Sequence, residues 1–459
     1  MPMHRSATPC ALPQAGRAET ASILQSMESA KIPVMKTNPS LIESVRAISR
    51  REMTCEALVR QCTERIAARE PLIHAWAHFD AGQALAQARA IDAGTVLHPL
   101  HGVPAGVKDV FDTFDMPAAY GSPIYAGQRP LADAAVVALL RRAGGMVLGK
   151  TVTTEFATFT PGVTANPHNP AHTPGGSSSG SAAAVADGMV PVAFGTQTIG
   201  SVIRPAAYCG VVGYKPSFGL LPRVGVKAIS DCLDTVGCFT RSVADAAYFV
   251  GALARRSLAV GGAMAAPHIG LCLTAQWPHA QPETRALFEQ LGPRLSAAGA
   301  QVRDFALPAL HDGINAAQDV IAAVEMAACL ADEHQRFRGL LSQRLRDRLD
   351  QGAAIGVADY DAALALARQC RHGFAAAIDG FDVLVVPSAP GEAPAGLTST
   401  GDPVFSRAWS LLHTPSVQVP ITSGPHGLPL GLQVVGRIGD DARTLAVAHW
   451  IETKLREAH

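Results

Sequence analysis

The sequence predicts an α/β fold: a large mixed sheet that contains parallel strands and is covered by helices on both faces. Three observations lead there. Short apolar runs of three to six residues recur at 102–107, 146–148, 189–194 and 383–386. Ala-rich stretches of helical character, 133–143 and 181–186, alternate with them, and strands separated by helices build a sheet buried on both sides. Hydrophobic residues make up 48% of the 459 and aromatics only 5%, a composition suited to small-residue helices packed closely on a sheet.

The opening of the chain to residue 38 reads as a polar leader without periodicity, in which Met35 offers an alternative start. It carries no continuous apolar segment of the kind a secretory signal needs. From Ser40 the pattern is helical, with Leu41, Ile42, Val45 and Ile48 on one stripe. Ser49-Arg50-Arg51-Glu52 matches a capping box, and Cys55, Leu58, Val59, Cys62 and Ile66 form the stripe of a second helix. The segment 282–378 is more charged and helical, and reads as an insert; strand character returns at 383–386 and 431–435, before a closing helix at 442–455. No Gly/Ser or Pro linker divides the chain, so 39–459 is expected to form one domain.

Lys+Arg and Asp+Glu are both 38, so no net positive charge favours nucleic acid or anionic lipid, and neither is expected as a partner. No apolar run reaches the ~18 residues needed to span a bilayer. The nine cysteines include no CxxC pair, which fits reduced thiols in the cytoplasm rather than a disulfide framework. His168 and His172 are four apart, but Pro167, Pro170 and Pro174 interrupt the stretch. They are expected in a loop, and no metal or cofactor site is expected.

Three segments carry chemistry. Lys108 ends an apolar run; burial there would bring its amine from about 10.4 toward neutrality, although pairing with Asp109 is the simpler reading. Gly175-Gly176-Ser177-Ser178-Ser179-Gly180 runs directly into an apolar helix, which suits a tight turn more than a linker. It also matches GxSxG formally, with Ser178 as nucleophile, but the residues before it are no buried strand. Gly195 to Arg204 places Ser201 after a glycine-containing turn beyond an apolar run, where a serine can act as nucleophile with neighbouring N–H groups as an oxyanion hole.

Taken together, HGVPAGVKDVFD, AAVVALLRRAGGMVLGKT, the stretch from NPAHTPGGSSSGS to CGVVGYKPS, FDVLVVPSAPGEAPAG and LPLGLQVVGRIGDDA resemble the amidase signature family from about Ser40 to Glu457. Lys108 and Ser177 are 69 residues apart, and Ser177 and Ser201 are 24 apart, as in that family. The resemblance implies Ser201 as nucleophile, Ser177 as bridging serine after a cis Gly176–Ser177 bond, and Lys108 as base. It assigns the oxyanion hole to the N–H groups of Thr198, Ile199, Gly200 and Ser201. It implies an amidase acting without cofactor on a small-molecule amide, with carbamates and esters open to the same attack. It also keeps open the glutamine-hydrolysing component of a tRNA-dependent amidotransferase and a catalytically degenerate binding scaffold. Homodimers are common in that family.

Departures from the usual GTDTGGSIR motif are Gln197 for Asp, Ile199 for Gly, Ser179 for Gly, and Arg204 three residues after the nucleophile rather than two. A β-branched Ile199 predicts a right-handed backbone there. Substrate choice is expected to lie with 116–125, Ile199, the helical insert and 409–417. Few charges sit in those loops, which points to an uncharged substrate.

Overall fold

The computed structural model describes residues 38–94, 98–262 and 264–457. The leader therefore lies outside the described residues, except for Asn38, whose Nδ2 donates to the Gly188 carbonyl at 3.0 Å.

Eleven strands form one sheet. They are β1 (Trp76–Phe79), β2 (Pro104–Lys108), β3 (Met146–Thr151), β4 (Val192–Gln197), β5 (Val212–Lys215), β6 (Thr235–Thr240), β7 (His268–Leu271), β8 (Gln301–Asp304), β9 (Val383–Pro387), β10 (Ser416–Ser423) and β11 (Pro429–Val435). Their spatial order is β1-β3-β2-β4-β6-β5-β10-β11-β9-β7-β8. The sheet is mixed as expected: β2 runs parallel to β3 and β4, and β7 parallel to β8 and β9. The six other pairs are antiparallel.

Side chains alternate across the sheet, as the two-residue period of a strand requires. Val192 and Phe194 of β4 join one core with Val136, Leu140, Phe249 and Ile451. Ala193, between them, joins the other with Cys62, Ala183 and Ala206. Helices Ala135–Arg142, Val243–Ala254 and Asp441–Glu457 thus cover one face, and helices Cys55–Ile73, Ser179–Ala186 and Ile203–Cys209 the other. Each fully buried Val or Phe contributes about 1.5–3 kcal/mol of transfer free energy.

The capping box falls elsewhere than expected. Ser40 and Glu43 form it, at the start of helix Leu41–Ser49. Ser49 ends that helix, and the second helix is capped by Thr54, whose hydroxyl accepts from Ala57 N. Thr54 immediately precedes the buried Cys55, so it caps the turn that the core holds in place.

Between 282 and 378 the chain is helical, with Ile314–Cys329, Gln343–Ala354 and Val357–Ala377 the longer elements after Pro282–Ala297. The segment also contributes β8, an edge strand carrying exposed Gln301, Arg303 and Asp304, residues that discourage pairing with another chain. Among the described residues no helix is long and apolar enough to cross a membrane.

Candidate active site

β2 and β4 are adjacent and parallel, with Val107 opposite Phe194. Their C-terminal ends therefore reach the same sheet edge, where ligands of α/β sheets commonly bind. Lys108 ends β2, and Thr196 and Gln197 end β4. Lys108 Nζ lies 2.7 Å from Ser177 Oγ and 2.8 Å from Thr196 Oγ1. The side chain is fully buried, and among the described residues no carboxylate forms an ion pair with it. Burial brings its amine down to about 7; the Asp234 charge acts in the opposite direction and does not prevail. Asp109 is engaged by Lys150 instead, at 2.8 Å.

Ser177 is held by a glycine turn. Gly175 and Gly176 have φ of 80° and 62°, a region L-residues avoid, and a Cβ on Gly176 would stand 2.5 Å from Pro205 Cδ. No described peptide bond is cis, so the expected cis Gly176–Ser177 bond is not found: the two left-handed glycines turn the chain. Helix Ser179–Ala186 follows at once, every residue buried. Gly180 lets it approach, since a Cβ there would lie 2.3 Å from the Ala75 carbonyl. Ser181 Oγ fastens it, donating to the Phe194 carbonyl at 2.8 Å.

Ser178 is committed to the backbone of β4. Its hydroxyl is fully buried, donates to the Thr196 carbonyl at 3.2 Å and accepts from Thr196 N at 3.3 Å. No strand immediately precedes it.

The loop 198–202 carries Ser201 into helix Ile203–Cys209 and is braced from inside. Gln197 Oε1 accepts from Val202 N at 2.9 Å and Ile203 N at 3.0 Å, while Nε2 donates to Ser410 Oγ at 3.0 Å. Ser410 Oγ donates to the Ile199 carbonyl at 2.7 Å. Gln197 thus satisfies N–H groups that every helix start leaves open. Ile199 is absent from the residues of positive φ, as its branched side chain requires. Among the described residues the N–H groups of Ile199, Gly200 and Ser201 donate to no acceptor. Thr198 Oγ1 donates to Asp234 Oδ1 at 2.5 Å, and Asp234 Oδ2 accepts from Ile229 N and Ser230 N at 2.9 and 3.1 Å.

Ser201 opens on a cavity of about 370 Å³, also lined by Phe159, Ile199, Arg204, Met326 and the loop 399–403. That volume accommodates a small organic molecule. Two expectations need correction here. No residue of 116–125 or 409–417 lines the cavity, and Trp409 is wholly buried. The walls are not charge-poor either: Arg204, Arg344, Asp402 and Arg407 all belong to them. The charges come from helix Ile203–Cys209, the insert and the segment 399–407, which converge only in three dimensions. Thr196 and Asp234 are site residues that sequence reasoning missed, whereas Gln197 is named there only as a departure from the motif and Ser410 only as part of 409–417. Thr196 follows from Lys108 through the parallel β2–β4 register; nothing local marks Asp234.

His168 and His172 sit in a non-helical stretch. His168 Nε2 lies 2.9 Å from the Cys209 carbonyl and His172 Nδ1 2.7 Å from the Ala393 carbonyl, so both tie loops to the frame.

A mixed eleven-stranded sheet with Ser177 beside a buried lysine at the strand ends suits an amide hydrolase, although among the described residues Ser201 forms no hydrogen bond with Ser177 or Lys108. The model of the family Amidase matches residues 57–445. The chain is 35% identical to the A component of the glutamyl-tRNA(Gln) amidotransferase of Acidothermus cellulolyticus, over 91% of this chain and 94% of that one. It is 32% identical to a 2-amino-5-chloromuconic acid deaminase of Comamonas testosteroni, over 92% and 97%. A solved amidase superposes with a TM-score of 0.83 at 32% identity, covering 90% of this chain and 99% of its own. The chain belongs to the amidase signature family of enzymes that hydrolyse C–N bonds.

Proposed function

We propose that this enzyme hydrolyses a small linear amide through an acyl-enzyme on Ser201, with Lys108 and Ser177 as its proton relay. The observation that carries the reading is the buried Lys108 amine, 2.7 Å from Ser177 Oγ and brought to about 7. A neutral amine has two N–H donors and one lone pair. It can donate to Thr196 Oγ1 and still accept the Ser177 proton, while Ser177 accepts the proton of Ser201. Ser201 then attacks the carbonyl, and the open N–H groups of Ile199, Gly200 and Ser201, with that of Thr198, face the developing oxyanion. One such donor is worth about 10²–10³ in rate. The relay returns a proton to the leaving amine, and water releases the acid. Carbamates and esters are open to the same attack. The free thiols of the core, Cys55, Cys62 and Cys209 among them, fit a reducing, cytoplasmic setting.

A second reading, the glutamine-hydrolysing component of a tRNA-dependent amidotransferase, is favoured by the 35% identity to such a protein. A purely binding scaffold is disfavoured by the presence of the lysine and both serines. The test is a panel of anilides, aliphatic amides, carbamates and glutamine, assayed on the isolated chain and on Ser201→Ala. Amide hydrolysis that Ser201→Ala abolishes supports the proposal. Glutamine hydrolysis alone favours the second reading, and no Ser201-dependent hydrolysis of any substrate overturns both.

A further inference from the structure

Asp234 is a buried carboxylate beside the reacting loop that the proton relay does not use. Its place follows from the sheet. β4 and β6 are antiparallel with Gln197 opposite Thr235, so the residue after Gln197 meets the residue before Thr235. Thr198 Oγ1 accordingly donates to Asp234 Oδ1 at 2.5 Å. Asp234 Oδ2 accepts from Ile229 N and Ser230 N at 2.9 and 3.1 Å, and Asp234 N closes the turn by donating to the Ser230 carbonyl at 3.1 Å. All three partners of the carboxylate are donors. Burial pushes the carboxyl above its usual range, and the hydrogen bonds from Thr198, Ile229 and Ser230 oppose the rise.

The turn 229–234 also reaches the helical insert. Ser230 Oγ donates to Glu325, Cys232 N donates to Glu325 Oε2 at 3.0 Å, and Tyr360 Oη donates to Glu325 Oε1 at 2.8 Å. Glu325 stands on helix Ile314–Cys329 directly before Met326, and Met326 and Ile229 both line the Ser201 cavity. Two carboxylates thus hold one turn: Glu325 ties it to the insert, and Asp234 ties it to the loop that carries the open N–H groups. Asp234 is also the charge that acts on Lys108, where it favours the ammonium against the effect of burial. The other titratable groups near Asp234 are Arg223, whose charge favours the carboxylate, and the Cys329 thiol of the insert, which burial holds protonated.

We infer that Asp234 is a positioning residue for the hydrolysis: through Thr198 it aims the N–H groups of the loop 198–201, and through the turn 229–234 it ties that aim to the cavity wall of the insert. The inference rests on the oxyanion role proposed for those N–H groups. Asp234 does not line the cavity, so it acts through Thr198. One oxyanion donor is worth about 10²–10³ in rate, and a misplacement of about 1 Å can cost about 10²-fold. Such a loss falls on the transition state and therefore on kcat rather than on KM.

The test uses the full chain and the fastest substrate from the panel. Asp234→Asn and Thr198→Val are each expected to lower kcat about 10- to 100-fold with KM changed less than about threefold, and the double variant to be little worse than either. Thr198→Ser, which keeps the hydroxyl, should recover most of what Thr198→Val loses. Lys108 is titrated separately by NMR of isotope-labelled lysine Cε, a readout that needs no turnover. In Asp234→Asn its midpoint should fall below the wild-type value of about 7, because a negative charge has gone; loosened packing alone would admit water and raise it. Additive effects in the double variant, an unchanged kcat in Asp234→Asn, or a midpoint that stays or rises would overturn the inference. If Asp234→Asn fails to fold, Thr198→Val and Thr198→Ser decide, and equal turnover in the two counts against it. A wild type without Ser201-dependent hydrolysis would overturn the proposed function and this inference with it, whereas a hydrolysing enzyme indifferent to these variants overturns the inference alone.

Discussion

Lys108 Nζ stands 2.7 Å from Ser177 Oγ at the end of a buried strand, with Thr196 Oγ1 at 2.8 Å as its other neighbour. A charged ammonium would have three N–H groups to satisfy there, and among the described residues only these two partners are in place. The neutral amine fits, and the rest of the chemistry follows from it.

Activity is expected to rise with pH. With the Lys108 amine brought to about 7, the free-base fraction grows as pH climbs through that value. A plot of kcat/KM from about pH 5.5 to about pH 8.5 should show a rising limb with its midpoint near 7. Lys108→Arg keeps a permanent charge and should be inactive across the range. A flat profile, or activity in Lys108→Arg, would contradict the base assignment.

Stability should also rise between about pH 7 and 8. Lys108 and Lys215 are both brought to about 7 by burial, whereas in the unfolded chain they titrate near 10.4. In that window the unfolded state binds more protons than the folded one, so unfolding becomes harder as pH rises. Above about 8.5 the buried thiols oppose the trend, because burial pushes Cys62 and Cys272 up to about 12. Denaturant midpoints measured in steps from about pH 7 to about pH 8 should climb in the wild type and climb less in Lys215→Met. A fall over this interval would reverse the assigned sign.

The brace beneath the loop 198–202 should act on turnover more than on binding. Gln197 closes three hydrogen bonds and Ser410 passes the support on to the Ile199 carbonyl. Gln197→Ala is expected to cost about 1–3 kcal/mol of stability and to lower kcat about 10- to 100-fold with a smaller change in KM. Ser410→Ala should be non-additive with it in a double-mutant cycle. Strictly additive effects would mean that the two do not work as one brace.

Ser178 gives the matching control. Its hydroxyl is committed to the β4 backbone at Thr196. Ser178→Ala should lose about 1 kcal/mol of stability and retain turnover within about tenfold. Loss of all activity in a folded Ser178→Ala protein would return the GxSxG reading to consideration.

Much of the frame around the site is legible in the sequence because its elements are short and uniformly apolar. Strands β2, β3, β4, β9 and β11 begin within a few residues of their expected places. Other strands are hidden by their own residues. β10 is buried throughout but contains Pro420, tolerated at a register shift between Pro420 and Thr422. β6 mixes Thr, Gly and Cys, and Gly237 is needed there because a Cβ would stand 2.6 Å from the Tyr214 carbonyl. At the site, Lys108, Ser177 and Ile199 can be read from motif and spacing. Asp234 and Thr400 cannot, because Asp234 reaches Thr198, and Thr400 reaches Arg204 and Gly176, from distant segments; Ser410 falls within 409–417, but its bond to the Ile199 carbonyl exists only after folding. The charge of the cavity is hidden for the same reason: Arg344 and Arg407 are far apart in sequence and meet Arg204 only after folding.

The most direct measurement of the central claim is the position of the acyl group. The enzyme is mixed with the fastest ester or anilide from the panel, acid-quenched within the first turnovers, digested and mapped by mass spectrometry. The account predicts an acyl adduct on Ser201, missing from Ser201→Ala and strongly reduced in Lys108→Met. An adduct on Ser178 or Ser177 in the wild type, or hydrolysis proceeding in Ser201→Ala at the wild-type rate, would contradict it.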